Sequence, residues 1–222
     1  MDRKIGGNVM NSRSLIVTFL LALVSLGLSP LAAQTTQPTT PASPFEARVA
    51  AAKAAMMGDP EAALRHARAA TTLSRDNPNT RARLIEEATS YWLEGEALIR
   101  VNRPEQARPA IDRGMAIVTR YGARSKLHAD LHKARAALSL VTGQVQSALT
   151  DLLAAHEMFR ALGEPRSQAI VLQNLGSIYL EARDFERALR YYEQANEVYR
   201  DDPALTLAAQ LLERVAASVV RR

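Results

Sequence analysis

The chain of 222 residues contains no cysteine, which removes disulfides, thiolate metal sites, cysteine nucleophiles and a lipid-modified cysteine together. Aromatic residues are scarce at 5%, while apolar content reaches 47% and is dominated by alanine and leucine. That mixture suits helix packing and suits β-structure poorly. The glycines form no phosphate-cradling loop, and no serine sits in a nucleophile-elbow motif. Neighbouring carboxylates such as Glu86-Glu87 and Asp201-Asp202 are adjacent in sequence, so on a helix they diverge instead of cooperating. These absences point to a protein that is not an enzyme and needs no cofactor. Charge of one sign is lacking too. The formal +5 falls to +3 when Asp2, Arg3, Lys4 and Arg13 are set aside with residues 1–33, a weak and interspersed surplus that implies no nucleic-acid partner.

What is present begins with an export signal over residues 1–33. Arg3, Lys4 and Arg13 precede an uncharged apolar run of 14 residues, Leu15 to Leu28, and Leu31-Ala32-Ala33 offers a cleavage site. Met10 is an alternative start. The run is shorter than the ~20 residues that span a bilayer. The expectation is therefore export, to the periplasm of a double-membraned bacterium, with an N-terminal membrane anchor as the alternative. Residues 34–44, QTTQPTTPASP, form a Thr/Pro-rich linker with no helical period.

Residues 45–222 carry a recurring pattern of small residues. It is clearest in AIVLQNLGSIYLEARDFERALRYYEQANEVYRDDP from Ala169 to Pro203, where Leu172, Leu175, Gly176 and Tyr179 share one helix face and Ala188, Tyr192 and Ala195 another. Gly176 and Ala188 lack bulk, so two antiparallel helices can approach closely. The second-helix triplet recurs as Ala63/Ala67/Ala70, Ala107/Ile111/Gly114, Ala148/Leu152/Ala155 and Ala188/Tyr192/Ala195. Their first members fall 44, 41 and 40 residues apart. The pattern resembles the tetratricopeptide repeat (TPR), in a lengthened form.

The resemblance implies an all-α solenoid of about four antiparallel helix pairs. The first pair is predicted from about Phe45 to Met57 and from Pro60 to about Arg75, with Asp59 as cap. The second runs from Thr80 to Tyr121, with Tyr91, Gly95 and Leu98 on its packing face and Gly122 as a left-handed cap. Pro109 predicts a local bend or a later helix start. In the third pair Ser125 caps the first helix, Gly143 marks the turn and Gly163 ends the second. Asp184 caps the second helix of the fourth. After Pro203, Leu207, Leu211, Leu212, Val215 and Val219 form the stripe of a capping helix.

In such arrays first helices line the groove, and their non-packing positions are free to bind. The resemblance places Arg48 there in the first unit, and Thr89, Trp92, Glu96 and Arg100 in the second. Asp130, Lys133 and Ala137 follow in the third, then Ile170, Gln173, Ser177 and Glu181 with Asn174 beside them in the fourth. Trp92, Glu96 and Arg100 stack at i, i+4 and i+8, and aromatic and arginine anchors are enriched in binding hot spots. Packing of Trp92 against a neighbouring helix is the equal alternative. Lys133 matches the lysine of the carboxylate clamp of some TPR domains, but Ala137 replaces the first asparagine and Asn174 matches only a later one, so the clamp is not expected. His128 and His132 lie at i, i+4, but Ala129 stands where a zincin needs glutamate, so a structural pair is expected and no metal. The implied partner is a protein or peptide segment, with self-association in an envelope assembly as the alternative. Contact with a membrane is expected only through an uncleaved N-terminal segment.

Overall fold

The computed structural model describes residues 43–121 and 124–200, and all regular structure among them is helical. Eight helices follow in order: α1 (Pro44–Ala55), α2 (Pro60–Ser74), α3 (Thr80–Arg100), α4 (Pro104–Tyr121), α5 (Lys126–Val141), α6 (Val145–Ala161), α7 (Pro165–Glu181) and α8 (Phe185–Arg200). They pack as hairpins α1/α2, α3/α4, α5/α6 and α7/α8. The hairpins join through α2 on α3, α4 on α5 and α6 on α7, and the first helices α1, α3 and α5 also touch in succession. This is a TPR-like α-solenoid. The expected leader, residues 34–42 of the expected linker, Gly122 and the expected capping helix lie outside the described residues, while Ser43 and Pro44 belong to the start of α1.

Capping chemistry sets the helix starts. Asp59, Asn79 and Ser125 each accept a backbone N–H three residues on, from Ala62, Ala82 and His128, and Asp184 does the same for Arg187. The first helix begins one residue before its expected start. Ser43 and Glu46 form a reciprocal capping box around Pro44 at the first helical position.

Four helices end by one device: a residue with positive φ, then a backbone N–H bonded five residues back. Asn102 (φ 58°), Gly143 (78°), Gly163 (65°) and Arg183 (58°) take that conformation. The closing bonds run from Arg103 to Leu98, Gln144 to Ser139, Glu164 to Phe159 and Asp184 to Tyr179. Pro109 does not delay α4, which begins at Pro104 and runs through it. The proline ring lies on the exposed side, where water can satisfy the carbonyl it leaves without a donor.

The small residues stand where the helices cross. Ala63, Ala67, Ala107, Ala148, Ala155, Ala188 and Ala195 are fully buried. A Cβ added at Gly176 would lie 2.9 Å from the Tyr192 ring, and one at Gly95 only 2.5 Å from Cγ1 of Ile111. Tyr192 is buried as expected, whereas Tyr179 is half-buried, stacked on Tyr191 at 5.5 Å under the Arg187 guanidinium. Core clusters cross the unit boundaries. One cluster joins α1 to α5 through Ala52, Leu64, Leu93, Ile111 and Leu138, and another joins α5, α6 and α7 around Phe159.

Candidate functional site

The layer made by α1, α3 and α5 gathers a ladder of charged side chains around one tryptophan. Trp92 is half-buried and packs against two core clusters, which makes it both wall and base of this face. The ammonium of Lys53, from α1, lies 5.6 Å from the centre of its ring. The indole Nε1–H is buried without an acceptor among the described residues, as is Nε of Arg100, two turns along the same helix.

Between them Glu96 faces two cations, Arg100 at 3.8 Å and Lys133 of α5 at 3.7 Å. Lys133 also lies 3.9 Å from Asp130, which in turn lies 3.8 Å from Lys126. All four distances are at the outer limit of an ion pair, longer than a charge-assisted hydrogen bond. Lys126 makes its closer contacts elsewhere, 3.1 Å from Glu164 and 3.0 Å from Ser167 Oγ, with its ammonium over the Phe159 ring. Burial pushes the carboxyl of Asp130 above its usual range despite Lys133 and Lys126. For Lys133 burial acts to lower the pKa, but Glu96 and Asp130 outweigh it and the ammonium titrates higher than usual. The face therefore keeps fixed charges in a poorly hydrated setting, loosely matched to one another.

Of the residues expected in the groove, the structure brings together Trp92, Glu96, Arg100, Asp130 and Lys133. Arg48 is not with them. It is exposed and reaches Nδ1 of His66 on α2 at 3.2 Å, and Lys53 holds the inner position of the first unit. Ala52 and Met56 face the core, and an alanine-rich helix offers no large anchor to reveal that register in the sequence. The signal in the sequence was that Lys53 is the sole charge in VAAAKAAMM. On α7, Gln173 is buried, Asn174 half-buried and Glu181 exposed. Ser177 is turned toward its own partner helix, its hydroxyl donating to the Gln173 carbonyl and lying 3.0 Å from the Tyr192 hydroxyl.

The histidines belong to a separate polar cluster between α5 and α6. The rings of His128 and His132 stack at 5.0 Å, and Nδ1 of His132 lies 2.8 Å from Asp151. Arg135 donates to both oxygens of that carboxylate, at 2.6 and 2.9 Å. No group of three His, Cys, Asp or Glu side chains among the described residues is arranged to hold a metal ion.

Burial, then the charges of His132 and Arg135, holds His128 below the usual histidine range, and burial does the same to His156. An unfolded chain then binds protons at these sites that the folded chain refuses, so their contribution is complete above about pH 6.5 and declines below it. Asp151 acts at lower pH. Burial alone would raise it, but the bonds from His132 and Arg135 outweigh burial and depress it, so its stabilisation is lost as pH falls through the carboxylate range. The expected outcome is a thermal midpoint that drops between pH 7 and 5, and a clearly shallower drop in H128Q/H156Q. An identical slope in the double variant would show that neither histidine is held neutral.

A family model described as tetratricopeptide repeat matches residues 127–201, from the second residue of α5 through the end of α8. No curated protein matches this chain.

Proposed function

We propose that this protein is an exported, non-catalytic interaction scaffold that holds a peptide or protein segment along the face formed by α1, α3 and α5. TPR domains typically bind protein partners, and the fold supports that class of function. The observation carrying the finer reading is the pair of buried donors without acceptors, Trp92 Nε1 and Arg100 Nε, in one row with loosely paired charges. A bound segment that lays a carbonyl or carboxylate there satisfies donors that would otherwise cost about 1–3 kcal/mol each. Preformed helices present that row with little ordering cost. Export rests on the basic and apolar character of residues 1–33, and the mass of the protein recovered from the envelope fraction tests it, cleavage after Ala33 being expected.

A photo-crosslinking residue placed at Lys53 should trap the partner, whereas one on the exposed side of α4, at Gln106, should not. With that partner, binding should change the fluorescence of Trp92, the sole tryptophan. W92A should weaken affinity by more than ~1 kcal/mol. Unchanged affinity in W92A removes this residue from the interface.

A second reading, self-assembly, has its own observation. The outer side of α6 exposes Val145 and Leu153, with Leu149 between them, on a stretch free of exposed charge. Light scattering on residues 45–222 over a concentration series separates the readings, since a strictly monomeric species rules out assembly.

A further inference from the structure

Of the four second helices, α6 is the one whose outer side is apolar. Among the described residues, α2 exposes Arg65 and Arg68, α4 exposes Asp112 and Arg113, and α8 exposes Arg190 and Glu193. From Val145 to Leu153, α6 exposes only Val145, Gln146, Ser147, Thr150 and Leu153. Val145 and Leu153 are 47% and 44% exposed, and Leu149 between them is half-buried against the α5–α7 core. The three form one row along the helix at intervals of four residues, and Glu157 continues it.

The start of α6 is also unlike the others. Asp59 and Asp184 cap α2 and α8, and Glu61, Glu105 and Glu186 stand in the first turns of α2, α4 and α8. At α6, Gln144 makes no side-chain cap and the first turn holds no acidic residue. The partial positive charge of that helix end is left without a carboxylate from its own first turn. The carboxylate at the far end of the row is Glu157, exposed and paired with Arg160 and His156 of the same helix. Such exposed pairs are weak and leave the carboxylate open to a better partner.

The row is complementary to itself. In an antiparallel pair of α6 helices about a two-fold axis at Leu149, Val145 meets the partner's Leu153 and Leu149 meets its own copy. The same arrangement brings Glu157 to the bare N-terminus of the partner's α6. Glu157 lies eight residues past the axis and Gln144 five residues before it. Along the helix the two are then about 4.5 Å apart, within reach of a glutamate side chain. A parallel pair would instead stack Glu157 on its copy and leave both helix ends bare. A second copy thus supplies what the row lacks and what the helix end lacks.

We propose that a second copy of this chain covers the outer side of α6, in an antiparallel two-fold contact centred on Leu149. The inference rests on the self-assembly reading and gives it a geometry. The contact uses a second helix, whereas the groove belongs to the first helices, so both grooves of the dimer stay open. The contact is small, which makes the dimer weak and concentration-dependent. Two linked grooves hold a repeated partner more tightly than one.

The test uses the chain from Gln34 onward, the form expected after cleavage, in sedimentation equilibrium from about 10 µM to 1 mM, the range of weak interfaces. The mass should rise from one chain toward two. V145E/L153E should stay monomeric throughout with its thermal midpoint unchanged, because both side chains are exposed. E157Q should weaken association about threefold or more, since the symmetry removes two helix-end contacts at once. Disulfides read the register, and the chain has no cysteine to compete. A mixture of the V145C and L153C variants should crosslink under mild oxidation. Neither should crosslink to itself, its two copies lying about 12 Å apart along the helix.

A chain monomeric at every concentration overturns this proposal and the self-assembly reading together. Association that survives V145E/L153E, or a single variant that crosslinks to itself, overturns the geometry alone. A monomeric chain whose photo-crosslinker at Leu153 traps another protein assigns the face to that protein and overturns it too. Capture at Lys53 tests the groove separately and should be unchanged in V145E/L153E.

Discussion

Truncating Phe159 to alanine should cost about 3–5 kcal/mol, the range for removing a fully buried phenylalanine. Its location makes the loss more than a drop in overall stability. Phe159 sits in the cluster where α5 and α6 meet Val171, Leu175 and Ile178 of α7, so its cavity opens at the junction of the third and fourth hairpins. In a repeat array each unit is held by its own packing and by its neighbour's interface. F159A should therefore let α7 and α8 open before the rest. Hydrogen exchange would show lost protection in residues 165–200 with α3 still protected, and heating would give two steps. Uniform loss of protection through all the described helices would show instead that the array unfolds as one unit.

G95V should cost about 3 kcal/mol, at the upper end for overpacking a tight interface. Alanine is the more discriminating substitution. It gains about 1 kcal/mol over glycine in a helix, yet its Cβ would lie 2.5 Å from Cγ1 of Ile111, a buried side chain with no room to swing away. G95A should thus be net destabilising, and truncating Ile111 should relieve it. The double-mutant cycle with I111A is expected to show favourable coupling of 1 kcal/mol or more on the order typical of contacting residues. A G95A protein as stable as the parent would mean that α3 and α4 can separate without loss.

These two positions differ in how visible they were in the sequence. Gly95 was legible, because a glycine followed at fixed spacing by Ala107 and Ile111 has a packing reason wherever helix pairs repeat. Phe159 was not singled out, since nothing local distinguishes a core aromatic at a hairpin junction from one in any amphipathic helix. The inner row divides in the same way. Trp92, Glu96 and Arg100 could be grouped by their helical spacing, and Asp130 and Lys133 by analogy of position. Lys53 stood out only as the sole charge in VAAAKAAMM and could not be assigned to the row, because the register of α1 depends on which alanine meets α2, and alanines are alike in a pattern.

By itself the sequence determined the class and the punctuation: an all-helical array of hairpins, its small residues at the crossings, and caps at Asp59, Ser125 and Asp184. These follow from periodicity and from hydrogen bonds within a few residues, which a linear pattern contains. Only the tertiary structure decided which charges meet. Lys133 lies against Glu96 of the preceding unit, Asp151 is claimed by His132 and Arg135, and Ser177 turns to Tyr192. Such pairings depend on helix rotation and on the packing of units some forty residues apart, and no spacing in the chain encodes a distance between turns.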